Sequence, residues 1–379
     1  MKTRYILGIV LAIVVLGAVV LNTTTGLFSL SKNDTINIGV VATITGVGSY
    51  QGQQELRGLQ LAVDEINANN RINGKKVNLI IEDSQVNNEV ATKAINKLIE
   101  VDKVKYVIGD SWSSTTEVIV PIINKNKIIL ISPITTLDAL SKEDYFFRTI
   151  PTTKEMMNLL ANYAYNDMNI RTLGILRQNT LFGFEHSTDF KIVFEKLGGK
   201  IIGDESFALT DNDLRAEITK IKDMNPDAIF NLHATGPMLG LLMKQAQELG
   251  VNVKWIGSWG SENGKLVKEY GSIVNDLTYA YPFELDLSNV KTKKFVDSYE
   301  QKYNELPDLT VASSYDSLYL IVKAIELCNN NTDCAKQQLE NTKNFDGVSG
   351  NIAFDKNGDV IKPIIIKEIK DGKFVKVSN

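Results

Sequence analysis

From Ile36 onward, the apolar residues come as short β-branched runs, each followed by a stretch in which apolar residues repeat every three or four positions. Few folds satisfy that alternation. "INIGVVATI" (36–44) suits a strand buried on both faces, and Gln53 to Asn69 puts Leu56, Leu59, Val63 and Ile66 on one helical face. "KKVNLIIED" (75–83) is the next strand, and Val90 to Val101 carries the stripe Ala94, Ile95, Leu98, Ile99. "KYVIG" (105–109), a helix around 114–125 and "KIILIS" (127–132) continue the pattern.

A second series opens after Pro151. Helices are expected at 153–167, 184–197, 213–223 and 237–249, alternating with the strands "TLGILR" (172–177), "KIIGDESF" (200–207), "DAIFNL" (227–232) and "VKWIG" (253–257). Two such series in 379 residues, too many for one typical core, imply an α/β protein of two doubly wound parallel-sheet lobes. The tail adds helices near 291–304, 310–327 and 333–342, then "GNIAFDKNGDVIKPIIIKEI", read as two strands joined across Asp355, Asn357 and Gly358. The first lobe has too few helices to cover both faces of its sheet, so the chain is expected to return to it. Crossings are placed at 149–152, 280–283 and 344–348, a three-strand hinge. Lobe one is then 34–150 plus 283–345, and lobe two 151–282 plus 346–379.

Residues 1–33 read as a signal or anchor segment with its linker. Lys2 and Arg4 precede the unbroken apolar run Ile6 to Leu21. As a helix it would span about 24 Å, short for a hydrocarbon core of about 30 Å but sufficient with adjustment. An uncleaved membrane anchor and a cleaved secretory signal both remain open, and both place the rest of the chain outside the cytoplasm. Cys328 and Cys334 agree with export: they enclose the turn-prone "NNNTD" and are expected to close it as a disulfide.

A formal net charge of -4 gives no reason to expect nucleic acid. The two histidines, His186 and His233, leave little room for a metal site or a catalytic triad. Gly46, Gly48 and Gly52 in "TGVGSYQG" (45–52) fit a dinucleotide clamp only loosely. Glu82 and Asp83, which would hold a ribose, lie about thirty residues past Gly52 rather than about twenty. No cofactor is expected. The turn either lines a ligand cleft at the end of the first strand or serves the fold alone.

"TGVGSYQGQQELRGLQLAVDEINA" resembles the opening of the leucine/isoleucine/valine-binding protein family, solute receptors of ABC transporters with a type I periplasmic-binding fold. "YVIGDSWSSTTEVIVPIINKNKIILISPITT" resembles the family's second signature. "YFFRTIPT", "NTLFGFEHS", "ASSYDSLYLIVKAIE" and "FDGVSGNIAFDKNGD" are similar to later segments in the same order, so the resemblance covers about 34 to 379. It implies a non-enzymatic receptor that closes around an amino acid or related small carboxylate and hands it to a membrane permease. A sensory ectodomain of the same fold, signalling through a partner, is the other possibility.

Ser113 and Ser114 start the helix after "KYVIG", where a hydroxyl, backbone N–H groups and the helix dipole favour an anion. The resemblance implies that Ser113, backbone at Ile134 and Thr135, and Thr136 clasp a carboxylate; otherwise Ser113 is a plain helix cap. It places Trp259 where relatives that bind amino acids carry an ammonium-holding glutamate, and Ala234 and Thr235 where they carry a tyrosine. Glu262 lies three residues on. Phe182 matches a family aromatic, and Tyr50 and Gln51 are candidates from the glycine turn. Trp259, Phe182 and Tyr50 form either an aromatic wall or lobe packing. Tyr281 touches ligand or only the hinge, His233 is expected to be a hydrogen-bonded core residue, and His186 reads as helix surface.

Overall fold

The structure, a computed structural model, describes residues 35–69 and 72–378. The apolar run from Ile6 to Leu21, with the signal or anchor expected of it, lies outside them. Among the described residues no helix is long and apolar enough to cross a membrane.

The first sheet has five parallel strands in the order β2-β1-β3-β4-β5: β1 (Thr35–Ala42), β2 (Lys76–Asp83), β3 (Tyr106–Gly109), β4 (Ile129–Ser132) and β5 (Phe146–Arg148). Ile38, Val40, Val41 and Ala42 are fully covered, as a parallel sheet with helices on both faces requires. Helices α1 (Ser49–Asn69), α2 (Asn88–Glu100) and α3 (Ser113–Asn126) provide the cover. Local chemistry sets their starts: Asn87 accepts from the N–H groups of Glu89 and Val90 at 2.9 and 3.1 Å, satisfying two donors that the first turn leaves free.

The chain then passes to a seven-stranded sheet. It runs through α4 (Thr153–Asn166), β6 (Thr172–Gln178), α5 (Leu181–Lys196), β7 (Lys200–Phe207), α6 (Arg215–Asp223) and β8 (Ala228–Leu232). It continues through α7 (Gly236–Glu248), β9 (Lys254–Gly257), α8 (Gly264–Tyr270) and β10 (Leu277–Tyr281). A capping box opens α4: Thr152 accepts from the Glu155 N–H, and Glu155 accepts from the Thr152 N–H at 3.1 Å. The sheet is mixed, not purely parallel. β13 (Ile365–Lys370) pairs antiparallel with β10, and β14 (Lys373–Ser378) antiparallel with β13. Asp371 and Gly372 between them both have positive φ, the Asp-Gly preference of a two-residue hairpin.

Helices α9 (Val290–Tyr303), α10 (Leu309–Cys328) and α11 (Thr332–Glu340) return to the first sheet. There α10 lies so close along α1 that a Cβ on Gly58 would meet the Val311 carbonyl at 2.3 Å. The disulfide forms as expected between Cys328 and Cys334, with Cα atoms 5.6 Å apart.

The third passage differs from expectation. β11 (Phe345–Gly347) and β12 (Gly350–Ile352) make a short hairpin whose loop N–H groups, Val348 and Ser349, donate to buried Asp316 at 2.9 and 2.8 Å. Beyond it, Asp359 pairs with fully buried Arg148 at 2.8 Å, and Phe354 packs edge-on against Phe147. Residues 346–360 therefore sit with the first sheet, and the chain leaves it at 361–364 rather than 344–348. Asp355, Asn357 and Gly358 form a turn bridged by Phe354 and Val360, not the tip of a hairpin ending in "PIIIKEI".

Candidate functional site

Both sheets direct the carboxyl ends of their parallel strands at one cleft, where open α/β sheets place ligands. On the first side the glycine turn now has a physical account. Gly46 sits at φ +83°, a Cβ on Gly48 would fall 2.7 Å from the Trp112 indole nitrogen, and one on Gly52 would fall 1.9 Å from the Thr43 carbonyl oxygen. Asp83 is occupied by the same turn, accepting from the Ile44 N–H at 2.8 Å and the Thr45 hydroxyl at 2.5 Å. The glycines bring α1 against β1 and present Tyr50 and Gln51, in the first turn of α1, to the cleft.

Two further loops of the first sheet lie side by side. Ser113 is the first residue of α3, with Trp112 as the cap residue, so Ser113 is not capping the helix. The Thr135 hydroxyl donates to Ser113 Oγ at 3.5 Å, and Ile134 and Thr136 are buried beside it. Ser114 is half-buried. The Thr136 hydroxyl instead accepts from Thr153 at 2.8 Å, and Thr153 also reaches Glu185 at 2.9 Å. Glu185, on α5, further accepts from the Asp138 N–H at 2.7 Å, so the carboxylate bridges to the loop that follows β4. Burial pushes its pKa up to about 8.

The cavity between the sheets is lined from the first side by Tyr50, Gln51, Asp308, Leu309 and Thr310, and from the second by Ala234, Thr235, Gly236, Trp259, Gly260, Glu262 and Asn263, with Tyr281 at the passage. Its free volume of about 30 Å³ holds little more than a water or two. Tyr50, Gln51, Ala234, Trp259 and Tyr281 thus meet at one place. Ser113, Ser114, Ile134, Thr135, Thr136 and Phe182 lie outside this lining, although Phe182 stands edge-on to Trp259 with ring centroids 6.2 Å apart. Sequence reasoning missed Asp308, Leu309 and Thr310. The signal was present: Asp308 caps α10, a helix start in the returning segment.

Three side chains on the second side are consumed internally. Glu262 accepts from Lys367 at 2.6 Å and from the Tyr279 hydroxyl at 2.8 Å, which removes it as a substitute for the missing glutamate. His233 lies within 3.2 Å of the Gln178 amide and accepts from the Thr235 N–H at 3.1 Å, a satisfied core histidine. His186 is fully buried, not on the helix surface. The helix starts at Leu181, earlier than expected, which turns His186 inward with Phe182 and Phe190, its ring 4.0 Å from that of Phe182. Burial holds both histidines neutral, with pKa values down to about 3. In contrast, the Trp259 indole N–H is buried without a partner among the described residues.

Two α/β sheets with a cavity between them are the architecture of a solute-binding protein. Residues 35–373 match the family model described as periplasmic binding protein, and the chain belongs to that family. It is 25% identical to a leucine-, isoleucine-, valine-, threonine- and alanine-binding protein of Pseudomonas aeruginosa, over 86% of this chain and 87% of that one. Among solved structures it is similar to the branched-chain amino acid transporter substrate binding protein LivJ of Streptococcus pneumoniae in complex with isoleucine, with 29% identity, a TM-score of 0.82, and coverage of 90% of this chain and 100% of that one. A solute binding protein of an R. palustris ABC transporter in complex with benzoate shares the fold at 19% identity and a TM-score of 0.83, covering 91% of this chain and 96% of that one.

Proposed function

We propose that the protein is the extracytoplasmic receptor of an ABC transporter and captures an amino acid or related small carboxylate between its lobes. The observation that carries this is the cavity itself, lined by Tyr50, Gln51 and Asp308 from one sheet's side and by Ala234 and Trp259 from the other. A ligand touching both sides favours the closed state by the contacts it makes only there. Ser113, Ser114, Thr135 and Thr136, with backbone at Ile134, receive the carboxylate; Phe182 and Trp259 form an apolar wall.

The chain passages at 149–152, 280–283 and 361–364 serve as the hinge. Lys362 ties two of them, donating to the Thr149 carbonyl at 3.0 Å and to Ser349 at 2.6 Å. The closed form docks on a permease, and residues 6–21 hold the protein at the membrane or are removed on export. Calorimetric titration of residues 34–379 with branched-chain amino acids and with benzoate tests the assignment. Small-angle scattering should show compaction with whichever binds; absence of binding to every small carboxylate in a broad panel would overturn it.

A further inference from the structure

The cavity contains two carboxylates, and they are not equivalent. Glu262 is neutralised by Lys367 at 2.6 Å. Asp308 accepts the Val311 N–H through Oδ1 at 3.0 Å, and among the described residues no lysine or arginine forms an ion pair with it. Burial raises its pKa to about 6, the Glu305 charge adding to the effect and the Val311 and Thr310 N–H groups and the Arg57 charge opposing it. Tyr50, Tyr281 and Trp259 line the same cavity. Aromatic faces attract a cation, and a desolvated carboxylate is costly until one pairs with it. The face of Tyr50 already receives one: Lys265 Nζ, reaching from α8 on the other side, lies 4.4 Å from the ring centroid. The Trp259 indole N–H, in a residue only 8% exposed, has no acceptor among the described residues, so an oxygen on the same ligand would satisfy it.

We propose that Asp308 is the cation acceptor of this cleft, so that the ligand is a small zwitterion whose positively charged nitrogen lies against Asp308 among Tyr50, Tyr281 and Trp259. The proposal rests on the solute-binding assignment and deepens it. The ammonium site has not been lost with the glutamate that Trp259 replaces; it has moved to the opposite side of the cleft, onto the start of α10. Glu262 and Lys367 stay out of ligand recognition because they satisfy each other.

The test is calorimetric titration of wild type and Asp308→Asn with L-leucine and glycine betaine, which carry both charges, and with benzoate, which carries only the carboxylate. Asparagine caps helices as well as aspartate does, so the melting temperature should stay within a few degrees. The expected result is that at least one zwitterion binds the wild type and binds Asp308→Asn at least tenfold more weakly, with any benzoate binding unchanged. Equal zwitterion affinity for both proteins overturns the proposal, as does binding of benzoate with neither zwitterion. In that last case the solute-binding assignment stands; binding of none of the three counts against both.

Discussion

The two sides of the cleft are built on different principles. The first sheet contributes loops that follow strand ends: Tyr50 and Gln51 after β1 line the cavity, while Ser113 after β3 and Thr135 and Thr136 after β4, proposed here for the carboxylate, lie outside its lining. Their positions follow from local geometry, and their donors are hydroxyls and helix starts. The second sheet contributes side chains whose roles are set by partners far away in sequence. Glu262 is held by Lys367, 105 residues on, and His233 by Gln178, 55 residues back. A half made of local geometry suits a group common to many ligands, whereas a half made of distant pairings can change specificity by one substitution.

The largest effect should come from breaking the first half. Ser113→Ala with Thr136→Ala should weaken binding of any carboxylate ligand by more than tenfold in calorimetry, since charge-assisted hydrogen bonds are about twice as strong as neutral ones. Thr136 also holds Thr153, so a small loss of melting temperature is expected. Unchanged affinity would remove the carboxylate from these loops and leave only the cavity lined by Tyr50 and Trp259.

The second half can be sharpened by restoring what it lacks. Trp259→Glu should raise the affinity for L-leucine about tenfold, the scale of one charge-assisted contact, and should recover leucine binding when combined with Asp308→Asn. No gain in either background would mean that residue 259 does not face the ligand's nitrogen.

The same contrast explains what could be read from the sequence. The alternation of strands and helices is legible because period, capping and strand-end position are local properties. His186 reads as surface because the expected helix start, at 184, falls three residues after the observed one at Leu181. A helix face rotates by about 100° per residue, so its buried stripe cannot be assigned without the right frame. The third passage was misplaced because Arg148 with Asp359, and Asp316 with the Val348 and Ser349 amides, are pairings across more than thirty residues. The β13–β14 hairpin was readable from Asp371-Gly372 and was passed over. Asp308 escaped notice because an aspartate before an apolar helix looks like a cap, and it is one; that it also lines the cavity depends on where the helix docks.

Buried carboxyls and buried histidines should also respond oppositely to pH. In the first unit Glu55, buried and bonded by Ser111, has its pKa raised to about 8 by burial and by Asp110; Glu185 bridges to that unit with a value of about 8. A carboxyl raised from 4.5 adds stability that is complete below 4.5 and lost as pH rises through 8. His186 and His233, lowered from 6.5 to about 3, add stability that is complete above 6.5 and lost as pH falls towards 3. Between 4.5 and 6.5 the trends oppose each other, so melting temperature should be nearly flat there and fall by several degrees towards pH 8.5. Glu55→Gln with Glu185→Gln should flatten that alkaline limb; an unchanged limb would show that these carboxyls ionise without cost.

The smallest effect on binding should follow from cutting the disulfide. Closing so short a loop contributes about 2 kcal/mol in the chain-entropy account, so reduction should lower the melting temperature by a few degrees. Yet Cys328 ends the 20-residue helix that Asp308 begins. At about 1.5 Å per residue the bond lies roughly 30 Å from the cavity. Along that length α10 is fixed by α1, through the close approach at Gly58 and the Tyr315 hydroxyl donating to Glu65 at 2.7 Å. Freed cysteines should therefore fray the far end of α10 and leave its start in register, with ligand affinity within twofold. A larger change on reduction would mean that α10 slides as a unit, and that the loop between Cys328 and Cys334 sets the position of Asp308.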